Sequence, residues 1–312
     1  MTDFTEQDLL EAEYADHARL HPPAVLEAAL ADMQARAAWS DMSWDSAPAA
    51  VARIRSAIDE GRPFSMVRVG DGTGNLLGYR DPRFSRLRDH ALRQILTMTF
   101  GTADFSEAEI DRIRAGLIRA ICSADVLGVS DLFRLGRLRA IEAEPEKHPD
   151  KRGHSGSRES YVAMAALLER EDVRPPCLVT NHMHRFIAPH MAEVLAGVDR
   201  VCVIGPYDLG ARIQARFGVG AVVTRLIPNQ DSSSGGGRRW FPDDFDILHD
   251  GIDPARDGRV YLVAAGLLAK PLCARIKERG GVALDVGSLI DVWAGRGVRK
   301  YHDGDFLTAH GL

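Results

Sequence analysis

Seven short apolar runs rich in β-branched residues punctuate the chain: Phe64–Val69, Val126–Val129, Cys177–Thr180, Val201–Ile204, Val222–Ile227, Val260–Ala265 and Val282–Val286. Each has the length of a strand buried on both faces, where apolar residues follow one another without alternation. Helical spacing of apolar positions fills most of the gaps, over Asp111–Ser123, Glu159–Glu169, His184–Ala196, Leu209–Phe217 and Leu267–Arg279. Repeated strand and helix predicts an α/β fold with a mostly parallel sheet covered by helices on both faces.

The first part of the chain lacks strand signals. Leu9, Leu10, Ala12 and Tyr14 precede His21-Pro22-Pro23, and Val25 to Ala38 follow. The prolines separate two helices, the second starting near Pro22 or Pro23. Residues 1–46 therefore read as an N-terminal helical arm on a domain spanning 47–312. The arm either packs on that domain or serves a homo-oligomer contact, and Trp39, Met42 and Trp44 near its end read as core residues. Arg80–Thr97 reads as a basic helix. Two polar stretches break the rhythm: residues 142–158, a solvated loop, and residues 228–246, with serines, glycines, Arg238 and Arg239. A loop of that second length inside a domain is often functional.

Composition narrows the class without naming a function. A chain of 312 residues can bury a substantial core. A formal net charge of −5 gives no general attraction to nucleic acid or anionic membrane. No apolar run is long enough to span a bilayer, and the acidic amino end lacks the apolar region of a secretion signal. A cytoplasmic location is the expectation. Cys122, Cys177, Cys202 and Cys273 are far apart, with no metal-binding spacing, and read as free thiols.

Polar and small residues collect just after the predicted strands. Gly70-Asp71-Gly72-Thr73-Gly74-Asn75 follows the first, Ser130-Asp131 the second and Asn181-His182-Met183-His184 the third. Gly205-Pro206-Tyr207-Asp208 follows the fourth and Pro228-Asn229-Gln230-Asp231 the fifth. Gly266 precedes Lys270 after the sixth, and Asp285, Gly287, Ser288 and Asp291 come at the last. Open α/β sheets bind ligands outside the carboxyl ends of their strands, where glycines allow close approach to backbone. Gly266 and the helix carrying Lys270 offer N–H groups, a helix dipole and a cation to phosphate. Arg68 is suited either to phosphate or to a carboxylate such as Asp71 or Asp285. Arg238 and Arg239 are candidates to clamp phosphate from their loop. Asp71, Asp208 and Asp285 are candidate bases, Asn181 and His182 candidate ligand contacts, and Ser288 a candidate helix cap.

The first glycine-rich segment admits two readings. Gly70-x-Gly72-x-Gly74 resembles the glycine-rich turn of S-adenosylmethionine-dependent methyltransferases. Arg68-x-Gly70-Asp71-Gly72 resembles the Arg-x-Gly-Asp-Gly-Glu signature of the GT-D glycosyltransferases, a bacterial family that uses sugar nucleotides. The second resemblance extends to Val260–Trp293, where Gly266, Ala269-Lys270 and Leu284-Asp285-Val286-Gly287 match that family's closing pattern.

The GT-D resemblance implies a Rossmann-like sheet, a nucleoside-diphosphate-sugar donor, and an acceptor hydroxyl on a glycan, lipid-linked or protein-linked molecule. On that reading the donor-binding candidates are Arg68, Gly70, Gly72, Thr73, Asn181, His182, Gly205, Gly266, Lys270, Gly287 and Ser288, and the catalytic candidates Asp71 and Asp285. It also implies Mn²⁺ or Mg²⁺ at Asp71. The family's Asp-x-Glu metal motif falls on Asp71-Gly72-Thr73, and threonine is a poorer ligand for these ions. The site then dispenses with metal, borrows Asp131, Asp208 or Asp285, or belongs to a non-catalytic sugar-nucleotide-binding protein.

Overall fold

The computed structural model describes residues 19, 21–37, 47–78, 88–129, 155–228, 239–297 and 304–312. Seven strands form one sheet: β1 (Phe64–Arg68), β2 (Val126–Val129), β3 (Leu178–Thr180), β4 (Arg200–Gly205), β5 (Ala221–Leu226), β6 (Val260–Val263) and β7 (Val282–Asp285). Their order is β3-β2-β1-β7-β6-β4-β5, and every pairing is parallel. The apolar runs of the sequence are these strands, and burial on both faces explains why they do not alternate. In β6, Tyr261 and Val263 face one core while Val260 and Leu262 face the other.

The helices needed here are α1 (Pro23–Arg36), α2 (Ala47–Asp59), α3 (Asp71–Gly78), α4 (Arg88–Phe100), α5 (Glu107–Ser123), α6 (Ser155–Arg170), α7 (Met183–Ile187), α8 (Met191–Val194), α9 (Gly210–Phe217), α10 (Phe245–Asp250), α11 (Pro254–Asp257), α12 (Ala269–Glu278), α13 (Leu289–Trp293) and α14 (Gly304–His310). Helix α1 starts at Pro23, behind Pro22, as the prolines predict. Its Leu26, Leu30 and Met33 are buried in the same core as Val67 of β1 and Tyr261 of β6. The described part of the arm thus spends its apolar side on its own domain. Trp39, Met42 and Trp44 lie outside the described residues, as does most of the polar stretch 142–158. The last residues of that stretch, from Ser155, already belong to α6.

Helix α5 begins earlier than its apolar pattern suggests. Ser106 caps it, accepting from the Glu109 N–H, while the Glu109 carboxylate accepts from the Ser106 N–H. The long helix expected over His184–Ala196 is instead α7, a 3₁₀ turn Ala188–His190 and α8. Pro189 lacks the N–H that a continuous helix needs.

The helices after β1 and β6 (α3 and α12) lie over one face of the sheet, and those after β3, β4 and β7 (α7, α9 and α13) over the other. Loops that leave neighbouring strands toward opposite faces diverge and open a crevice at the carboxyl edge. No helix among the described residues is long and apolar enough to cross a membrane.

Candidate functional site

A cavity of about 390 Å³ opens at this carboxyl edge. Of the residues singled out from sequence, Arg68, Gly70, Gly72, Thr73, Asn181, His182, Gly266, Lys270, Asp285, Gly287 and Ser288 line it. They come from four different strand ends.

Its floor is an ionic cluster. Asp285 ends β7, and its side chain is 1% exposed. Its Oδ2 lies 3.1 Å from Lys270 Nζ and accepts from the Arg68 N–H at 3.3 Å. Its Oδ1 accepts from Arg68 Nε at 3.3 Å. Lys270 also donates to the Gly266 carbonyl at 2.9 Å, which ties the first turn of α12 to the loop before it. Burial pushes the Asp285 carboxyl up, but the charges of Lys270 and Arg68 and their hydrogen bonds outweigh it, holding the group below the usual carboxylate range. Asp285 is therefore a fixed counter-charge. Of the two roles the sequence offered for it, base or ion-pair partner, its contacts are those of the ion pair.

Arg68 is positioned from several sides. Its Nη1 donates to the Asn181 carbonyl at 3.0 Å and meets His184 Nδ1 at 2.5 Å. A guanidinium has no acceptor, so His184 Nδ1 must accept and its ring proton sits on Nε2. That proton points at Ser288 Oγ, 3.3 Å away. Ser288 stands at the start of α13, yet its hydroxyl makes no capping bond. The expected cap is replaced by this contact. With Nε2 protonated, His184 cannot activate Ser288 as a nucleophile.

The Asn181 side-chain N–H donates to the Val69 carbonyl at 3.1 Å, while its Oδ1 is buried with no donor among the described residues. Gly287 has φ +46°, and a Cβ there would fall 1.7 Å from Arg68 Nη2. Only glycine gives the guanidinium this room. A Cβ on Gly70 would meet nothing within 4 Å, leaving the β1 end of the cavity open.

The opposite wall is apolar and comes from elements whose chemistry the sequence did not advertise: Ile95 and Met98 of α4, Ile227 after β5, and Trp240. Asp291 of α13 adds a carboxylate that accepts from Tyr207 OH at 3.0 Å.

Other expected residues lie elsewhere. Gly205 is packed beneath Ile290 and Ala264 and does not line the cavity, although the next residue, Pro206, does. Asp208 accepts from the Gly210 N–H and Thr224 Oγ1 and is also outside the lining. Arg239, a phosphate candidate in the sequence, is engaged outside the cavity lining. It pairs with Glu109 at 2.9 Å, donates to the Asp104 carbonyl and lies over the Phe105 ring. It thereby pins the segment leading into Trp240 to the start of α5. Arg238 and Asp131 fall outside the described residues.

A hard divalent ion finds little support in the lining. Asp71 opens α3 directly after Gly70, but Thr73 is a buried hydroxyl in the same turn. Both oxygens of Asp285 are already engaged by cations. Among the described residues, no three His, Cys, Asp or Glu side chains gather as a metal site. Comparison with family models, curated proteins and solved structures gives no match to this chain.

Proposed function

We propose that this chain is a glycosyltransferase that moves a sugar from a nucleoside-diphosphate donor to a hydroxyl of a glycan, lipid-linked or protein-linked acceptor. The observation that carries this reading is the cavity floor, where Arg68 and Lys270 share the single carboxylate of Asp285 next to the first turns of α3 and α12. On the floor itself two cations stand against one carboxylate, which favours an anionic group there, while Asp291 is a further carboxylate of the lining. The positive end of a helix dipole favours the same charge. The apolar wall around Trp240 suits a base or sugar face, and the Asp291 carboxylate suits hydroxyls.

In the reaction the acceptor oxygen bonds to the anomeric carbon. The bond from that carbon to the diphosphate oxygen breaks, and the diphosphate leaves with the electron pair. Arg68 and Lys270 stabilise the charge growing on that leaving oxygen. Asp285 keeps both cations in place. Asp71, at the open end of β1, is the candidate to take the acceptor proton, since Asp285 is saturated and Asp208 lies outside the cavity.

The methyltransferase reading needs a glycine turn outside a helix. Gly72 and Gly74 instead lie within α3, with the Thr73 and Gly74 N–H groups bonded to the Gly70 carbonyl. A melting-temperature panel separates the readings, because a ligand bound only by the native state raises the transition. UDP or GDP should stabilise the protein, and UDP- or GDP-sugars should be turned over in a way that Asp71→Asn and Lys270→Ala abolish. Stabilisation by S-adenosylmethionine alone would overturn the proposal.

A further inference from the structure

We infer that the fixed pair Arg68 and Lys270, rather than a divalent metal ion, neutralises the diphosphate of the ligand, resting on the sugar-nucleotide reading above. Three features of the floor point this way. Each Asp285 oxygen is already within hydrogen-bond distance of a cationic side chain, so a metal ion there would have to displace a cation that is part of the fold. Position 73, which a second carboxylate ligand would have to occupy, is a buried threonine.

The third feature is the count of donors. An ammonium has three N–H groups, and Lys270 directs two at protein, to Asp285 and to the Gly266 carbonyl. A guanidinium has five. Arg68 uses Nε on Asp285 and Nη1 on the Asn181 carbonyl and His184. Among the described residues, nothing takes the remaining N–H of Lys270 or the N–H groups of Arg68 Nη2, and these face the ligand. Nη2 fills the space that a side chain at position 287 would need, and both residues line the cavity. These donors are largely buried and already oriented, which is what the charged non-bridging oxygens of a diphosphate require of a metal-free site.

The test is calorimetric titration of the full-length chain with UDP, GDP and inorganic pyrophosphate, in EDTA and again in Mn²⁺. The expected result is binding in EDTA with unchanged affinity in Mn²⁺. Lys270→Met, confirmed as folded by circular dichroism, should weaken binding by about ten- to a hundredfold, the size of one charge-assisted hydrogen bond. Binding seen only with Mn²⁺ overturns the inference and leaves the sugar-nucleotide reading standing. Unchanged affinity in folded Lys270→Met also overturns it. Binding in neither condition overturns both. Should Lys270→Met not fold, the wild-type comparison between EDTA and Mn²⁺ decides alone.

Discussion

Arg68 occupies the space that any side chain at Gly287 would need: Nη2 lies 1.7 Å from the position of a Cβ there. An alanine at 287 must also hold a left-handed φ of +46°, which costs an L-residue about 1 kcal/mol. To admit the methyl, Arg68 must give up contacts to Asp285, Asn181 or His184. Gly287→Ala should destabilise the fold by about 2–4 kcal/mol and abolish nucleotide binding. Urea denaturation and titration calorimetry read the two effects.

Asp285 gives the stability a defined pH dependence. Its folded-state pKa lies below its ordinary value, so its contribution is complete above the unfolded pKa of about 4 and is lost as pH falls through the folded value. The stability curve of the wild type should therefore fall below about pH 4 with a component that Asp285→Asn lacks. At neutral pH that variant leaves Lys270 and Arg68 without their counter-charge and should lose about 3–5 kcal/mol. Equal acid slopes in the two proteins would contradict the assignment.

His184 serves Arg68 as an acceptor and Ser288 as a donor. Glutamine offers both functions on one side chain, whereas leucine offers neither. His184→Gln should retain nucleotide affinity. His184→Leu should lose about 1–3 kcal/mol of stability through the unsatisfied Arg68 donor and bind more weakly. If the two variants behave alike in calorimetry, the tautomer argument fails.

Arg239 acts on the cavity at a distance, through the segment that carries Trp240. The Arg239–Glu109 pair is partly exposed, at 41% and 21%, so screening holds its contribution near 0.5 kcal/mol. Arg239→Ala should barely move the melting temperature. It should still raise KM for the donor by releasing the Trp240 wall, with kcat nearly unchanged. A lowered kcat at constant KM would place Arg239 in the chemistry instead.

The strands were legible because a two-sided burial leaves an uninterrupted apolar run, and parallel strands with intervening helices then dictate an α/β sheet. Helix boundaries were less so. The signal for α5, Ser106-x-x-Glu109, stands in the sequence, but apolar periodicity alone does not register it. Strand-end residues such as Lys270 and Asn181 could be placed near a site because position after a strand is a sequence property. The role of Asp285 could not be chosen, since ion pair and base differ only in what lies within about 3 Å of the carboxylate. His184 and Asp291 stand after strands in the sequence, but nothing there marks what they contact, and Trp240 carries no strand-end signal. His184 joins the site only because β3 brings it beside Arg68, and Trp240 only because Arg239 anchors its segment.

The first and last strands are neighbours at the centre of the sheet, and Arg68 and Asp285 are 217 residues apart in sequence. Closing so long a loop is entropically costly and slow, and its reward comes only when β7 docks. During synthesis the chain emerges with Arg68 committed to a buried strand whose counter-charge has not yet been made. Docking of β7 brings the Asp285 carboxylate to Arg68, so the cavity floor and the centre of the sheet are completed together.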